Sequence, residues 1–593
     1  MKKIILLLGT FLLCSSMLLA QKTLTGKVTS SEDGSALPGV TIAVKGTTTG
    51  TITDLDGNYK ITVPAGATTL VFTFVGMKTQ EIEIGSQTSI NIALESSSVQ
   101  LEGMVVVAYG VQKKSDINGA VSQVTAEKLS SGGSKESVDK ALSGKISGVR
   151  SSSATGNPGS TGEILVRGVG SITASSSPLY VIDGIPIETG NFGSSSMSSN
   201  VLSTINTEDI ESISVLKDAA ASSLYGSRAA NGVVVITTKK GAMSKSGEMK
   251  TSINFKGSWG ISSMAVNAFN MADGPSWVQY CRTGLENYYL NYVKALVPGQ
   301  TNYANQADHL ADAKQFSDDY IEYEVKTLDK NTNWKDELFR VGKVQDYQVS
   351  MTGGSQKTNF YVGLGYMKNN GIVINSNFER FSNLLSLEHK ATDWIKIGFR
   401  NNVSFANQKG FSDNSSQEGT VAMSSPIGQL LSLEPTAPVY NDDGSLNHDV
   451  SWGNADNPSI TFGDKMVKLN NKTLRNLTNA DITIDFTKDL SFKSTLGVDL
   501  INNKIFQFWH PESIDGGALG GYGYYGLVQS DNITSSNILN YNKTLNKVHN
   551  FSALGGFESS RTNFNTIDVA NSNYSTGELI ELQNGSSPQT ASS

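Results

Sequence analysis

Cysteine is almost absent from this sequence. The 593-residue chain holds two, Cys14 and Cys281, too few for a disulfide framework. Histidine is scarce as well. All five, His309, His389, His448, His510 and His549, lie beyond residue 300, and no two have the spacing of a zinc-binding helix. No G-x-S-x-G nucleophile elbow occurs. Gly521-Tyr522-Gly523-Tyr524-Tyr525-Gly526 satisfies G-x-G-x-x-G literally, but it follows no βαβ pattern, so dinucleotide binding is excluded. The sequence therefore reads as a non-enzyme with no cofactor and no metal. Charge is sparse too: 17% of residues are charged, against about 25% in an average soluble chain. With 47 basic and 54 acidic residues the net charge is −7, and no basic block is long enough to track a phosphate backbone. Nucleic acid is excluded as a partner.

Long apolar runs are missing beyond the N-terminus. Lys2 and Lys3, the apolar stretch Ile4 to Leu13 and Ala20-Gln21 have the order of a secretory signal, placed at 1–20. Leu13 stands where a lipid-modified Cys14 would need a small residue. Cleavage would leave Cys281 alone. No other stretch approaches the roughly 20 apolar residues of a spanning helix. If the exported chain crosses a membrane, it crosses as a β-barrel.

What is present is mostly short or alternating strand. Over 21–96, "TLTGKVTS", "GVTIAVKG", "GNYKITV" and "TTLVFTFVG" are separated by turn residues, which predicts a small β-sandwich. Asp54 to Asn58 lacks calcium-loop spacing and reads as a turn. A polar tether, 97–112, surrounds the isolated apolar run Met104 to Tyr109. That run is either an edge strand of the sandwich or a strand held out for a partner by β-augmentation. From 113 to 242 a Gly- and Ser-rich α/β unit is expected. Its last strand, Val233 to Ile236, is apolar on both faces and so buried on both. Before it a short helix is expected, capped by Asp218 and stopped by Gly226, with the small residues Ala219 to Ser223 allowing close approach. Asp183-Gly184 predicts a turn.

From 243 to 593 the texture changes. In "WIKIGFRNNVSF", Ile395, Ile397, Phe399, Val403 and Phe405 alternate with Lys396, Gly398, Arg400, Asn402 and Ser404. In "LSFKSTLGVDL", Leu490, Phe492, Leu496, Val498 and Leu500 alternate with Ser491, Lys493, Thr495, Gly497 and Asp499. Strands of about ten residues with one apolar and one polar face suit a transmembrane barrel; eight to ten are expected. A barrel wide enough to hold a plug has roughly 22 strands, and "NGSSPQTASS" carries no amphipathic pattern. The expectation is the first part of a larger barrel. Trp509, Tyr522, Tyr524 and Tyr525 are placed in a loop, with ring faces available to a sugar or peptide.

"MVVVAYGVQKK", "VRGVGSI", "PLYVIDGIPI", "DIESISVLKDAAASSLYGSRAANGVVVITTKKG" and "TNWKDELFR" together resemble SusC/RagA-type TonB-dependent outer-membrane transporters of Bacteroidota. "GKVTSSEDGSALPGVTIAVKGTTTGTITDLDGNYKITVPAG" resembles the carboxypeptidase-regulatory-like domains, which carry no catalytic zinc. The resemblance implies a mainly β chain: regulatory-like sandwich, α/β plug and barrel, integral to the outer membrane and its lipid, with the N-terminal domain in the periplasm. It implies a TonB box at Met104, Val105, Val106, Val107, Ala108 and Tyr109, although Gly103 stands where the family has an acidic residue. Plug positions carried by the motifs are Arg167, Gly168, Asp183, Gly184, Lys217, Asp218, Tyr225, Gly226, Arg228 and Gly232. Of these, Arg167, Lys217 and Arg228 are expected to pair with acids on the barrel wall. Implied partners are TonB with ExbB and ExbD, a SusD-like surface lipoprotein, and an oligosaccharide or peptide to be imported. A receptor that mainly senses ligand is the alternative.

Overall fold

The computed structural model describes residues 22–592, except 32–33, 48, 65, 75–76, 78, 95–103, 108–109, 114–119, 154, 172–174, 195, 219–222, 242–248, 266–269, 294–305, 326–329, 413–424, 452–454, 464–465 and 546–548. The expected signal segment, Ala108, Tyr109 and residues 219–222 lie outside the described residues. Two compact units are present, the sandwich in one and the α/β unit with a large sheet in the other.

The first unit is a sandwich of two sheets. Strands β1 (Lys22–Ser30), β4 (Asn58–Val63) and β7 (Ile92–Leu94) form one sheet, in the order β4-β1-β7. The other, ordered β3-β2-β5-β6, holds β2 (Thr41–Val44), β3 (Gly50–Ile52), β5 (Thr69–Thr73) and β6 (Gln80–Glu83). Period-2 alternation builds it: along β4, Tyr59, Ile61 and Val63 are buried and their neighbours exposed. Leu24, Ile42, Leu70 and Phe72 complete the core. Asp54 is a turn former, its Oδ1 accepting the N–H groups of Asp56 and Asn58.

The apolar run after the sandwich forms β8 (Met104–Val107), which pairs with β9 (Gly110–Lys113) in a two-stranded sheet of its own. Among the described residues it joins neither sheet of the sandwich, so the edge-strand reading does not hold.

The α/β unit contains β10 (Val121–Thr125), β11 (Val149–Ser153), β12 (Gly162–Val166), β13 (Leu179–Ile182), β14 (Ile185–Ile187), β15 (Ile210–Leu216) and β16 (Val233–Thr238). Five of these form a mixed sheet ordered β10-β15-β16-β13-β14. As predicted from its unbroken apolar run, β16 is central, and Val233 to Ile236 are buried. It runs parallel to β13 and antiparallel to β15.

Ten antiparallel strands follow in chain order: β17 (Lys250–Ser262), β18 (Gly342–Gly354), β19 (Thr358–Asn370), β20 (Asn377–Lys390), β21 (Ile395–Gly410), β22 (Val467–Asp485), β23 (Leu490–Trp509), β24 (Tyr522–Leu545), β25 (His549–Tyr574) and β26 (Gly585–Ser592). The sheet is open, with β17 and β26 as its edges. Two expectations are corrected. Strands β17 to β25 run from 13 to 26 residues rather than about ten. Apolar alternation marks only part of each; β23 continues through Asn502, Asn503 and Lys504, paired in the same ladder. The polar end of the chain is also a strand. Pro588, which has no N–H to donate, is tolerated there because β26 is an edge, opposite a register shift at Ala570/Asn571.

Burial on this sheet inverts that of a soluble core. Phe399, Phe405, Leu474, Leu496 and Leu500 are exposed, whereas Arg400, Asn402, Ser404, Thr495 and Asp499 are buried. Alternation is the same as in a soluble sandwich, but the apolar face meets the surroundings and the polar face meets the α/β unit. That arrangement is stable against lipid, not water. Connections on one side are short turns, such as 355–357, 391–394 and 486–489, while 263–341 and 411–466 are long on the other. Among the described residues the longest carries three α-helices, α1 (Gly274–Tyr288), α2 (Gln306–Glu324) and α3 (Trp334–Leu338). Among the described residues no helix is long and apolar enough to cross a membrane, which says nothing of strands.

Candidate functional site

The motif residues of the α/β unit organise its own turns. Asp183 and Gly184 have φ of 48° and 90° and close the two-residue hairpin β13–β14. Positive φ at both central residues is what a type I′ hairpin requires. The Asp183 carboxylate accepts the Thr238 N–H at 3.0 Å and the Thr238 hydroxyl at 2.6 Å, tying the hairpin to the end of β16. Arg167 and Gly168 follow β12, both at positive φ. Gly232, also at positive φ, precedes β16 where a Cβ would crowd the Leu216 carbonyl and Val166.

The turn that Asp218 is expected to cap, 219–222, lies outside the described residues, and the contacts described for Asp218 are with other parts of the unit. One carboxylate oxygen accepts the Ala120 N–H at 2.7 Å and the other meets the Arg167 guanidinium. The Ala120 bond foremost, then the nearby Arg167, holds this carboxyl below the usual range. The helical stretch is a 3₁₀ segment, Ser223–Ala229, broken at Gly226 (φ 66°), with Tyr225 buried.

Of the three cations expected to pair with the wall, one does so among the described residues. Arg228 Nη2 lies 2.6 Å from Glu558 Oε1 on β25. Arg167 is paired inside the unit with Asp218, and Lys217 donates to the Ser147 carbonyl at 2.6 Å. Both stay within the unit because left-handed backbone at Arg167 and the end of β15 at Lys217 aim them at neighbouring turns.

The stronger attachments come from wall residues that no motif marked. Arg380 on β20 is 2% exposed. Its Nη1 donates to the carbonyls of Glu136 (2.8 Å), Ser203 (2.8 Å) and Ile205 (3.1 Å), and Nη2 to Asn206 Oδ1 (3.3 Å). Wall asparagines repeat the move: Asn479 donates to the Asp183 carbonyl at 2.9 Å, Asn503 to Phe192 at 2.6 Å and Asn532 to Pro186 at 3.2 Å. Arg475 is held by a bidentate pair with Asp499 at 2.8 and 2.7 Å. Gln348 and Tyr361 donate to Asp209 Oδ1 at 2.8 and 2.9 Å. Burial pushes the Asp209 carboxyl up to about 6, against the opposing pull of those bonds, Lys239 and Arg380. Gly497 completes the seat, since a Cβ there would overlap Ile185 at the hairpin.

This interface is built from side-chain donors aimed at irregular backbone. Each such bond from a neutral donor is worth a net ~0.5–1.5 kcal/mol, because water offers a substitute, and one from a guanidinium about 1.5–3 kcal/mol. Apolar contact is limited to patches such as Phe192 and Val201 against Ile501, Ile505 and Val528. Such a surface holds a body in place yet can be rehydrated when the body moves. The inward polar face of each strand was legible in the sequence; its aim at particular carbonyls depends on long-range register and was not.

The aromatic candidates are not in a loop. Trp509 ends β23, and Tyr522, Tyr524 and Tyr525 begin β24. Trp509 is 9% exposed, clusters with Met197 and Leu469, and its ring centroid lies 5.5 Å from that of Tyr522. Tyr524 joins the Phe192 patch and bonds Asp568. In this arrangement Trp509, Tyr522 and Tyr524 serve the seat of the α/β unit, whereas Tyr525 alternates to the opposite face of β24. Val105 to Val107 stand with Met104 in β8.

Comparison with known proteins accords with this geometry. Residues 24–106 match the family of CarboxypepD_reg-like domains and 113–233 match the TonB-dependent Receptor Plug Domain. TonB-dependent receptor P3 of Formosa agariphila is 33% identical over 539 residues, covering 91% of this chain and 48% of that protein. TonB-dependent receptor SusC of Bacteroides thetaiotaomicron is 32% identical over 520 residues, covering 84% and 46%. Among solved structures, the RagAB peptide importer in its open-open state aligns with a TM-score of 0.65 at 27% identity, covering 82% of this chain and 52% of the matched one. The chain spans about half the length of these relatives, which are named as receptors and an importer rather than enzymes. With the plug, its polar seat and these relatives together, the chain belongs to the SusC/RagA-type TonB-dependent receptors.

Proposed function

We propose that this chain forms the plug and part of the barrel of an outer-membrane transporter that imports oligosaccharides or peptides into the periplasm, energised through TonB. The observation that carries the reading is the hydrogen-bonded seat: a folded body lies against the polar face of the wall through bonds that water can replace. The relatives support it, one being SusC and another a peptide importer by name. In this reading a SusD-like lipoprotein captures substrate at the long-loop side, and ExbB and ExbD drive TonB from the inner membrane. TonB then pairs with β8, a strand that among the described residues belongs to neither sheet of the sandwich, as an added strand. A handful of backbone bonds at ~0.5–1.5 kcal/mol each gives a grip that holds under load and releases afterwards. Whether glycan or peptide is carried is indicated best by the neighbouring reading frames, glycosidases or peptidases.

Val106→Pro tests the reading. Proline removes a donor from the middle of β8, so uptake should be abolished while substrate still binds at the cell surface. Uptake at the wild-type rate would refute the assignment of the box.

A further inference from the structure

On the outward face of the wall, the register of β21, β22 and β23 gathers four lysines at the long-loop end. Lys472 on β22 is the direct cross-strand partner of Lys504 on β23, and Asn407 on β21 flanks it on the other side. One rung further toward the loops Lys409 faces Asn470, which faces Phe506. Lys468 lies beyond them. These side chains point away from the plug, because the alternate residues Asn471 and Arg475 reach plug carbonyls.

Like charges directly opposite each other on neighbouring strands destabilise a sheet unless something neutralises them. Among the described residues no acid pairs with any of the four. Glu379, the acid in the same rung, is separated by Asn407 and already bound by Lys368 at 2.5 Å. Above the pair, Lys409, Lys468 and Asn470 line a cavity of about 370 Å³ whose other walls include Phe411, Phe462 and Phe506. The Asn470 Oδ1 is buried and has no hydrogen-bond partner among the described residues. One rung below, two residues or ~7 Å along the strand, the exposed apolar face begins with Phe405 and Leu474.

We propose that this patch binds the phosphorylated headgroup of a lipid in the outer leaflet, with Lys472 and Lys504 clasping the phosphate, Lys409 and Lys468 closing over it, and the acyl chains lying on Phe405 and Leu474. The juxtaposition is specific: cations without counterions, directly above an apolar band, beside a cavity that mixes donors and rings. Lysines that merely reach for water at a membrane edge need neither the cavity nor a like-charge pair. The proposal rests on the outer-membrane reading above.

The test is native mass spectrometry of the full-length protein extracted from outer membranes, offered diphosphorylated lipid A, phosphatidylcholine or millimolar inorganic phosphate. Wild type should keep lipid A adducts, and Lys472→Gln/Lys504→Gln should weaken them about thirty-fold, from two surface lysines. Lys488→Gln, in the opposite turn, should change nothing. Equal adducts in the double variant, or equal retention of phosphatidylcholine, would overturn the site. Inorganic phosphate competing as well as the lipid would overturn the lipid as its ligand. The double variant removes a repulsion, so in lipid-free detergent it should melt no lower than wild type; a lower melting temperature also counts against the proposal. Failure to recover the protein in outer membranes would instead sink the transport reading.

Discussion

Arg380→Met separates the contact that holds the plug from the contact that motifs point to. Methionine keeps much of the arginine's length and fills the space, but it removes the donors to three plug carbonyls. Hydrogen bonds from a charged group are each worth ~1.5–3 kcal/mol, so a simple sum over the three would be roughly 4.5–9 kcal/mol. The sum overstates the loss, because the arginine's own desolvation cost is recovered and a shifted plug lets water reach the carbonyls. Breaking a buried charged contact by removing one partner costs about 3–5 kcal/mol, which raises the population with a displaced plug by roughly 10²–10³·⁵. Arg228→Ala is the comparison. Its side chain is 46% exposed, and such pairs are worth about 0–1 kcal/mol, at most about five-fold. Urea unfolding followed by protease access to the plug, with solute leakage through liposomes carrying the full-length protein, reads both variants. The reasoning fails if Arg228→Ala leaks as much as Arg380→Met, or if Arg380→Met unfolds at the wild-type urea concentration.

Two further predictions concern titratable groups. The Asp209 carboxyl is raised from 3.8 to about 6 by burial, so it takes up a proton on folding at mildly acid pH. Its favourable contribution is complete below about pH 4 and is lost as pH rises through about 6. Asp209→Asn keeps an acceptor for Gln348 and Tyr361 and should raise plug stability at pH 7.5 by about 3 kcal/mol, with no gain at pH 4; denaturant melts at the two pH values check it. Burial, and then nearby Glu434, push the Cys281 thiol up to about 11. Its alkylation by iodoacetamide at pH 7.5 should be far slower than that of an exposed thiol and should still be climbing at pH 10.

Much of the organisation was legible because it rests on local pattern. Alternation marked the sandwich strands and the wall, and an unbroken apolar run marked β16 as the centre of its sheet. The Asp183-Gly184 turn was readable because few residues accept positive φ. Other features were hidden for physical reasons. Asp218 accepts a bond from a donor 98 residues away in sequence, a contact that no local pattern announces. The ends of the wall strands carry asparagine and serine, which look like loop yet remain in a ladder whose neighbours supply the bonds. Arg380 stands in an ordinary polar position of an alternating strand. Only the register across the wall and the path of the plug turns bring three carbonyls to its guanidinium.

In the transport reading proposed above, the plug leaves its seat for substrate to pass. Ile185 at the plug hairpin packs where a Cβ on Gly497 would fall, so Ile185→Cys with Gly497→Cys, in a Cys281→Ser background, provides a disulfide between plug and wall. Uptake in cells carrying the full-length protein should be lost when that bond forms and should return on reduction, with surface binding of substrate unchanged throughout. Uptake at the wild-type rate with the disulfide fully formed would contradict the account.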